Sequence, residues 1–311
     1  MKIIVTGALG HIGSDLIRKI FYSFKTAEII LIDSLMTQRY ASLFNLPKKN
    51  KFKFYNSDIN NLKLKDKFKN VDIVVHLAAI TDATWSLNNK KIVEKNNFLS
   101  TKNVASACIK NKSKLILISS TSVYGTQNKT VDENCSRREL QPQSPYANTK
   151  LKEEALLKKL AKEKKLNYVI LRFGTIYGVS KGMRFHTAVN KFCWQASMGE
   201  PLSVWKTALN QKRPYLDLND ASRAICFIIK KNLFDNDTYN VLTNNHSVKD
   251  IIKEIKKNIK NTKISYVNNK IMNQLSYEVL NNKFIGKGFK FNGSLKKSVK
   301  KTLKLLDGLK R

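Results

Sequence analysis

The chain has 311 residues, 42% of them hydrophobic, with 57 Lys and Arg against 23 Asp and Glu and a formal net charge of +34. That length and apolar content suit one large domain with a smaller annex, and no apolar run approaches the length of a membrane span or a signal peptide, so a cytoplasmic protein with no membrane partner is expected. The charge invites a nucleic-acid reading, but the lysines are spread over nearly the whole chain, without zinc-finger spacing, a basic heptad region or an aromatic RNA-binding signature.

The first strand-like run, KIIVTG, leads into VTGALGHIGSDL, where Gly7, Gly10 and Gly13 open a helical pattern over 11–24. Glycines at this spacing let the backbone turn tightly and approach a pyrophosphate at a helix N-terminus, so Gly7, Gly10, His11, Ile12 and Gly13 are read as a dinucleotide-binding turn. EIILID closes on Asp33, twenty residues after Gly13, where a carboxylate would bind ribose hydroxyls and repel a 2′-phosphate. The expected cofactor is therefore NAD rather than NADP.

The next strands, FKFYNSD and DIVVHLAA, bring Asp58, Ile59, Leu77, Ala78 and Ala79 to the carboxyl edge of a sheet, where a ligand crevice forms. His76, at the end of its strand, is read as a packing residue. A helix over roughly 92–111 precedes KLILISS, which ends in a burst of hydroxyls at Ser119, Ser120, Thr121 and Ser122. SPYANTK then enters a helix over 147–164, with Tyr146 and Lys150 on one face. An ammonium beside a phenol favours the phenolate, bringing a group of pKa near ~10 toward the range of a general base. On this helix Ala147, Leu151, Ala155 and Leu156 are expected to face the sheet.

After NYVILRFG the pattern becomes irregular, with helices near 219–231, 248–260 and 294–308. Strands alternating with helices predict an α/β fold with a doubly wound parallel sheet in residues 1–178. Residues 179–311 are expected to form a smaller, mainly substrate-binding region, part of which returns to the first. Cys108, Cys135, Cys193 and Cys226 lack metal or redox spacing, so reduced thiols and no metal are expected.

In this order, TGALGHIG, LID, SDI, HLAA, NNFLSTKN, ISSTSVYG, PYANTK, LRFGTIYG and QKRPYLDLNDASRA resemble the extended short-chain dehydrogenase/reductase family, within it the NAD-dependent nucleotide-sugar epimerases and dehydratases. The resemblance implies a Rossmann fold and a catalytic set of Ser120, Tyr146 and Lys150. It places Asn97, Tyr146 and Lys150 among the cofactor contacts and Ser120, Thr121, Tyr146, Asn190 and Arg213 on a nucleotide-diphosphate sugar. Where 4,6-dehydratases carry Asp-Glu after the catalytic hydroxyl, this chain has Thr121 and Ser122. Thr175 stands where many 4-epimerases have Asn. The reading is an epimerase, at C4, with a reductase, oxidoreductase or decarboxylase on the same scaffold as the alternative. A non-catalytic cofactor- or RNA-binding protein, which would be expected to lose the Tyr146–Lys150 pair, ranks below it. The resemblance also implies a homodimer built on the 97–111 and 147–164 helices.

Overall fold

The apolar runs of the first half form β1 (Lys2–Thr6), β2 (Glu28–Asp33), β3 (Phe52–Asn56), β4 (Ile73–His76), β5 (Lys114–Ser120) and β6 (Tyr168–Phe173). Helices α1 (His11–Ser23), α2 (Ala83–Asn88), α3 (Lys90–Asn111) and α4 (Pro145–Lys164) lie between them. The chain continues through β7 (Thr175–Tyr177), α5 (Ala188–Ser197), β8 (Leu202–Trp205), β9 (Lys212–Asp217), α6 (Leu218–Lys231) and β10 (Thr238–Val241). It ends with β11 (Asn244–Ser247), α7 (Val248–Lys256), β12 (Ile264–Val267), α8 (Asn282–Gly286) and α9 (Leu295–Leu305). The computed structural model describes residues 1–47, 51–125, 130–267 and 277–308.

Seven strands form one sheet in the order β10-β6-β5-β4-β1-β2-β3, and every pairing in it is parallel. This is the doubly wound α/β architecture expected from the alternating pattern. Parallel strands covered on both faces need apolar side chains on both, which is why these runs are continuous rather than alternating. Ile3 and Val5 of β1 join Leu16, Ile17 and Ile20 of α1 and Ile225 and Ile228 of α6 on one face. Ile4 joins Val104 and Cys108 of α3 and Leu157 of α4 on the other. Each such side chain contributes roughly 1.5–3 kcal/mol by leaving water.

The chain beyond residue 178 divides its work. Helix α6 and strand β10 complete the large sheet, Thr238 pairing with Ile170. Phe284 of α8 and Phe289 join that same core. A second lobe takes α5, β8, β9, β11, α7, β12 and α9 together with β7 from before residue 178, in a sheet of order β11-β9-β7 and the pair β12-β8. Phe192, Cys193, Val204, Ile251, Ile255 and Val299 belong to its core. Among the described residues no helix is long and apolar enough to cross a membrane.

Helix α4 corrects one expectation. Its buried residues are Ala147, Thr149, Lys150, Glu153, Glu154 and Leu157, whereas Ala155 is exposed and Leu151 and Leu156 are half-buried. The helix is turned so that Lys150, Glu153 and Glu154 face inward, because each meets a buried partner of opposite sign. A stripe drawn from hydrophobicity alone puts those charges in solvent.

Candidate active site

Strand order reverses between β1 and β4, and in such sheets the crevice opens beyond the strands' carboxyl ends at that point. The turn from β1 to α1 lies there. Gly7 has φ +64°, and a Cβ on it would lie 2.7 Å from the Ala78 nitrogen. A Cβ on Gly13 would lie 2.5 Å from the Gly7 carbonyl oxygen. Gly10 differs: its φ of −65° is ordinary, and a Cβ would meet only that same oxygen, at 3.3 Å. Its backbone does not demand glycine, and the crowding a side chain would meet there is much milder than at Gly7 or Gly13. Gly10 also leaves α1 without a side-chain cap, and the N–H groups of a helix's first turn have no partner within the helix.

Asp33 accepts from the backbone N–H groups of Leu9 and Leu35, both at 2.9 Å, which ties the glycine turn to the end of β2. Asp58, exposed after β3, accepts from the Asn60 N–H at 2.8 Å, and Ile59 packs on the α3 side of the core. Leu77, Ala79 and Ile12 line the crevice, and the Ala78 N–H donates to the Thr6 hydroxyl at 3.2 Å.

Two histidines are structural. The His11 ring is buried and faces the Gly178 carbonyl through Nε2 at 2.8 Å. Burial pushes its pKa down to about 3. Only the backbone of His11 is thus left to meet a ligand. His76 lies between the Thr6 and Thr101 hydroxyls, at 2.7 and 3.2 Å, and is likewise lowered to about 3 by burial, then by Lys150.

Ser144 caps α4 by accepting from the Ala147 N–H, with Pro145 in the first turn. One turn later Lys150 sits with Nζ 5.9 Å from the centroid of the Tyr146 ring. The Tyr146 hydroxyl bonds to Ser120, whose Oγ also accepts from Ser122 N and Oγ at 3.1 and 2.9 Å. The three residues expected to carry the chemistry therefore meet. The expected drop in the phenol's pKa is not found here. Burial raises it, and the Lys150 ammonium offsets only part of that rise.

The same helix carries two groups that sequence reasoning missed. Glu154 accepts from Arg172 Nε and Nη2, at 3.0 and 2.7 Å, and from the Ser119 hydroxyl at 2.6 Å. Glu153, 0% exposed, holds Lys150 Nζ at 2.9 Å. Charged residues in a lysine-rich helix carry no mark of burial in the sequence, so neither stood out.

Between the large sheet and the second lobe lies a cavity of about 720 Å³. Ser120, Ser122, Tyr146 and Lys150 line one side, and Lys191, Trp205, Arg213, Tyr215 and Tyr277 the other. Its described lining holds four cations, Lys150, Arg184, Lys191 and Arg213, against one carboxylate, Asp82. Asp82 is committed to capping α2, accepting from the Trp85 N–H at 2.9 Å. Arg184 bonds to the Thr81 hydroxyl, and burial with the nearby Arg39 lowers its pKa to about 10.

Three expected contacts have other work. Thr121 is buried and donates to the Phe173 carbonyl at 3.3 Å, so Ser119 and Ser122 line the cavity in its place. Asn190 is 0% exposed, accepting from Gly178 N at 3.1 Å and donating to the Arg184 carbonyl at 2.9 Å. It braces the segment that carries Arg184, and its neighbour Lys191 faces the cavity. Asn97 accepts from Ile80 N at 2.8 Å and donates to Ile80 O at 2.9 Å, clamping the loop after β4. Each of these amides spends its oxygen and one N–H on backbone groups.

Comparison with known proteins agrees with this geometry. The chain is 30% identical over 251 residues to an uncharacterised UDP-glucose epimerase of Bacillus subtilis, covering 78% of this chain and 76% of that one. It is 28% identical over 319 residues to a human dTDP-D-glucose 4,6-dehydratase, covering 97% and 89%. A solved UDP-glucuronic acid 4-epimerase from Bacillus cereus, in complex with UDP-glucuronic acid and NAD, superposes with a TM-score of 0.90 at 26% identity, covering 99% of each chain. The model of the NAD dependent epimerase/dehydratase family matches residues 3–241, and the chain belongs to that family.

Proposed function

We propose that the protein is an NAD-dependent epimerase of a nucleoside-diphosphate sugar, acting at C4. The observation that carries this reading is the set Ser120, Tyr146 and Lys150 beyond the carboxyl end of β5, in a cavity whose described lining holds four cations and a single, already engaged carboxylate. The cations suit a diphosphate, Arg213 offering a planar fork to its oxygens. Eliminating water across C5 and C6 would require a further acid and base beside Ser120. Thr121 and Ser122 supply neither a carboxyl acid nor a base, which favours epimerisation over dehydration.

The residues present fit NAD. The turn Gly7–Gly13 is least crowded at Gly10, beside unpaired helix donors, and Asp33, Asp58 and Ile59 border the adenosine side. When bound, NAD supplies a hydride acceptor that later returns the hydride, and a positive charge that favours the phenolate. Ser120 holds the sugar hydroxyl, Tyr146 takes its proton and gives it back, and Lys150 steadies the phenolate and donates to the nicotinamide ribose. Asn97 and Asn190 act indirectly, through Ile80 and Arg184. The product leaves with the atoms of the substrate, so no net redox change accompanies turnover.

Incubation with a panel of nucleoside-diphosphate sugars, followed by NMR, tests the reading. A C4 epimer with no accumulated NADH supports it. Net NADH formation, released CO2 or a 4-keto-6-deoxy product assigns the protein to one of its scaffold's other reactions. The homodimer implied by the family is part of the same proposal, with Leu99 on α3 and Ala155 on α4 left exposed as candidate contacts.

A further inference from the structure

Helix α4 buries two glutamates, and they are neutralised differently. Glu154 belongs to Arg172, which reaches it through two hydrogen bonds. Glu153 has no structural arginine and is paired instead with the ammonium of Lys150, 2.9 Å away and itself only 5% exposed. A carboxylate taken this deep costs several kcal/mol unless it is matched by charge and hydrogen bonds. Its partner here is one of the three groups of the reaction centre, which is a poor choice for a purely structural pair.

We propose that Glu153 is a positioning residue that holds the Lys150 ammonium beside the phenol and raises the pH at which Tyr146 becomes a base. The inference rests on the reading of Tyr146 as the proton-transfer group. An ammonium alone favours the neighbouring phenolate, and a carboxylate on that same ammonium cancels much of its field. Burial raises the pKa of the Glu153 carboxyl, and the Lys150 ammonium works against that rise. With Glu153 ionised, the buried trio of Tyr146, Lys150 and Glu153 is neutral only while the phenol keeps its proton. In exchange, Lys150 stays charged: burial works against its ammonium, but Glu153 and Tyr146 together hold its pKa above the usual lysine value.

The other groups around the trio do not take over this part. Arg184 faces Tyr146 and favours the phenolate, as Lys150 does. Glu154 also acts on Lys150 but is neutralised by Arg172 of β6. His76 of β4 is neutral, and Thr101 of α3 offers Glu153 only a hydroxyl. Glu153 is therefore the charge, among the described residues, whose removal most directly frees the ammonium for the phenol.

The experiment records phenolate absorbance against pH for the NAD-bound protein with no sugar present, and subtracts the same curve for Tyr146→Phe. The difference isolates Tyr146 without reference to turnover. Glu153→Gln keeps the shape and removes the charge, and its midpoint should fall by about one pH unit. The acid limb of kcat/KM should move down with it. Glu153→Met, a charge-free side chain of similar length, should shift the midpoint in the same direction, and Glu153→Asp should stay closest to the unmodified protein. An unchanged or higher midpoint in both charge-free variants overturns the role of Glu153. Absence of any Tyr146 titration in the unmodified protein overturns the reading of Tyr146 itself, so the two failures are told apart.

Discussion

The crevice at the glycine turn and the cavity beside it are walled by different means. The wall at β1 and α1 is made by backbone: glycines that permit a turn and close approach, an uncapped helix end, and a carboxylate that ties two loops. The wall of the second lobe is made by side chains from separate elements, Arg184 before α5, Lys191 within it, Trp205 at the end of β8, Arg213 in β9 and Tyr277 far beyond. Backbone geometry restricts which residues a position can hold, so it leaves a local signature. Side chains gathered from a hundred residues of chain leave none. Ser120, Tyr146 and Lys150 stand between the walls and share both characters.

The largest effect should come from that shared centre. Tyr146→Phe should reduce turnover roughly 10²–10⁴-fold while NAD affinity, measured by calorimetry, stays within a few-fold. A rate near that of the unmodified protein would remove the phenol from the mechanism.

The walls should then separate cleanly under substitution. Arg213→Ala should weaken nucleoside-diphosphate sugar binding roughly 10–100-fold, the value of about 1.5–3 kcal/mol for a hydrogen bond to a charged group, and leave NAD binding alone. Equal losses for both ligands would show that the walls are not independent.

Within the backbone-built wall, Gly13→Ala and Gly10→Ala make a matched pair. The first forces a Cβ within 2.5 Å of backbone oxygen and should lower stability by about 1–3 kcal/mol in denaturant unfolding. The second should leave unfolding unchanged and weaken NAD. Loss of stability in both would mean that Gly10 serves the fold rather than a ligand.

Two neutral histidines predict an acid window. His11 and His76 titrate near 3 when folded, well below the usual histidine value, because burial disfavours their charged forms. Their unfolded counterparts bind protons more readily, so the stability they contribute is complete above about pH 6.5 and is lost as pH falls toward 3. At pH 5 each should have withdrawn about 2 kcal/mol. Denaturant unfolding at pH 7 and pH 5 measures their sum together with the share of His186, lowered to about 4 by burial, and His76→Gln should reduce the drop by about 2 kcal/mol. An identical drop in that variant would place the effect elsewhere.

The same contrast explains what could be read from the chain. Continuous apolar strands and the spacing of Gly7, Gly10 and Gly13 made the sheet and its switch point legible, and one helical turn joined Tyr146 to Lys150. Asn97, Thr121 and Asn190 were recognisable as positions, yet their hydrogen bonds go to the protein's own groups at Ile80, Phe173 and Gly178. Which way a polar side chain turns depends on partners remote in sequence. Glu153 and Glu154 were hidden for the related reason that a charge is read as solvent-facing until its buried partner is known.

The central claim is that hydride leaves C4 of the sugar and returns to it from the other side. A nucleoside-diphosphate sugar carrying deuterium at C4 tests this most directly, with the epimerised product analysed by NMR and mass spectrometry. The account predicts a C4 epimer that retains the deuterium at C4. Deuterium lost to solvent, or left on accumulated reduced cofactor, would contradict it.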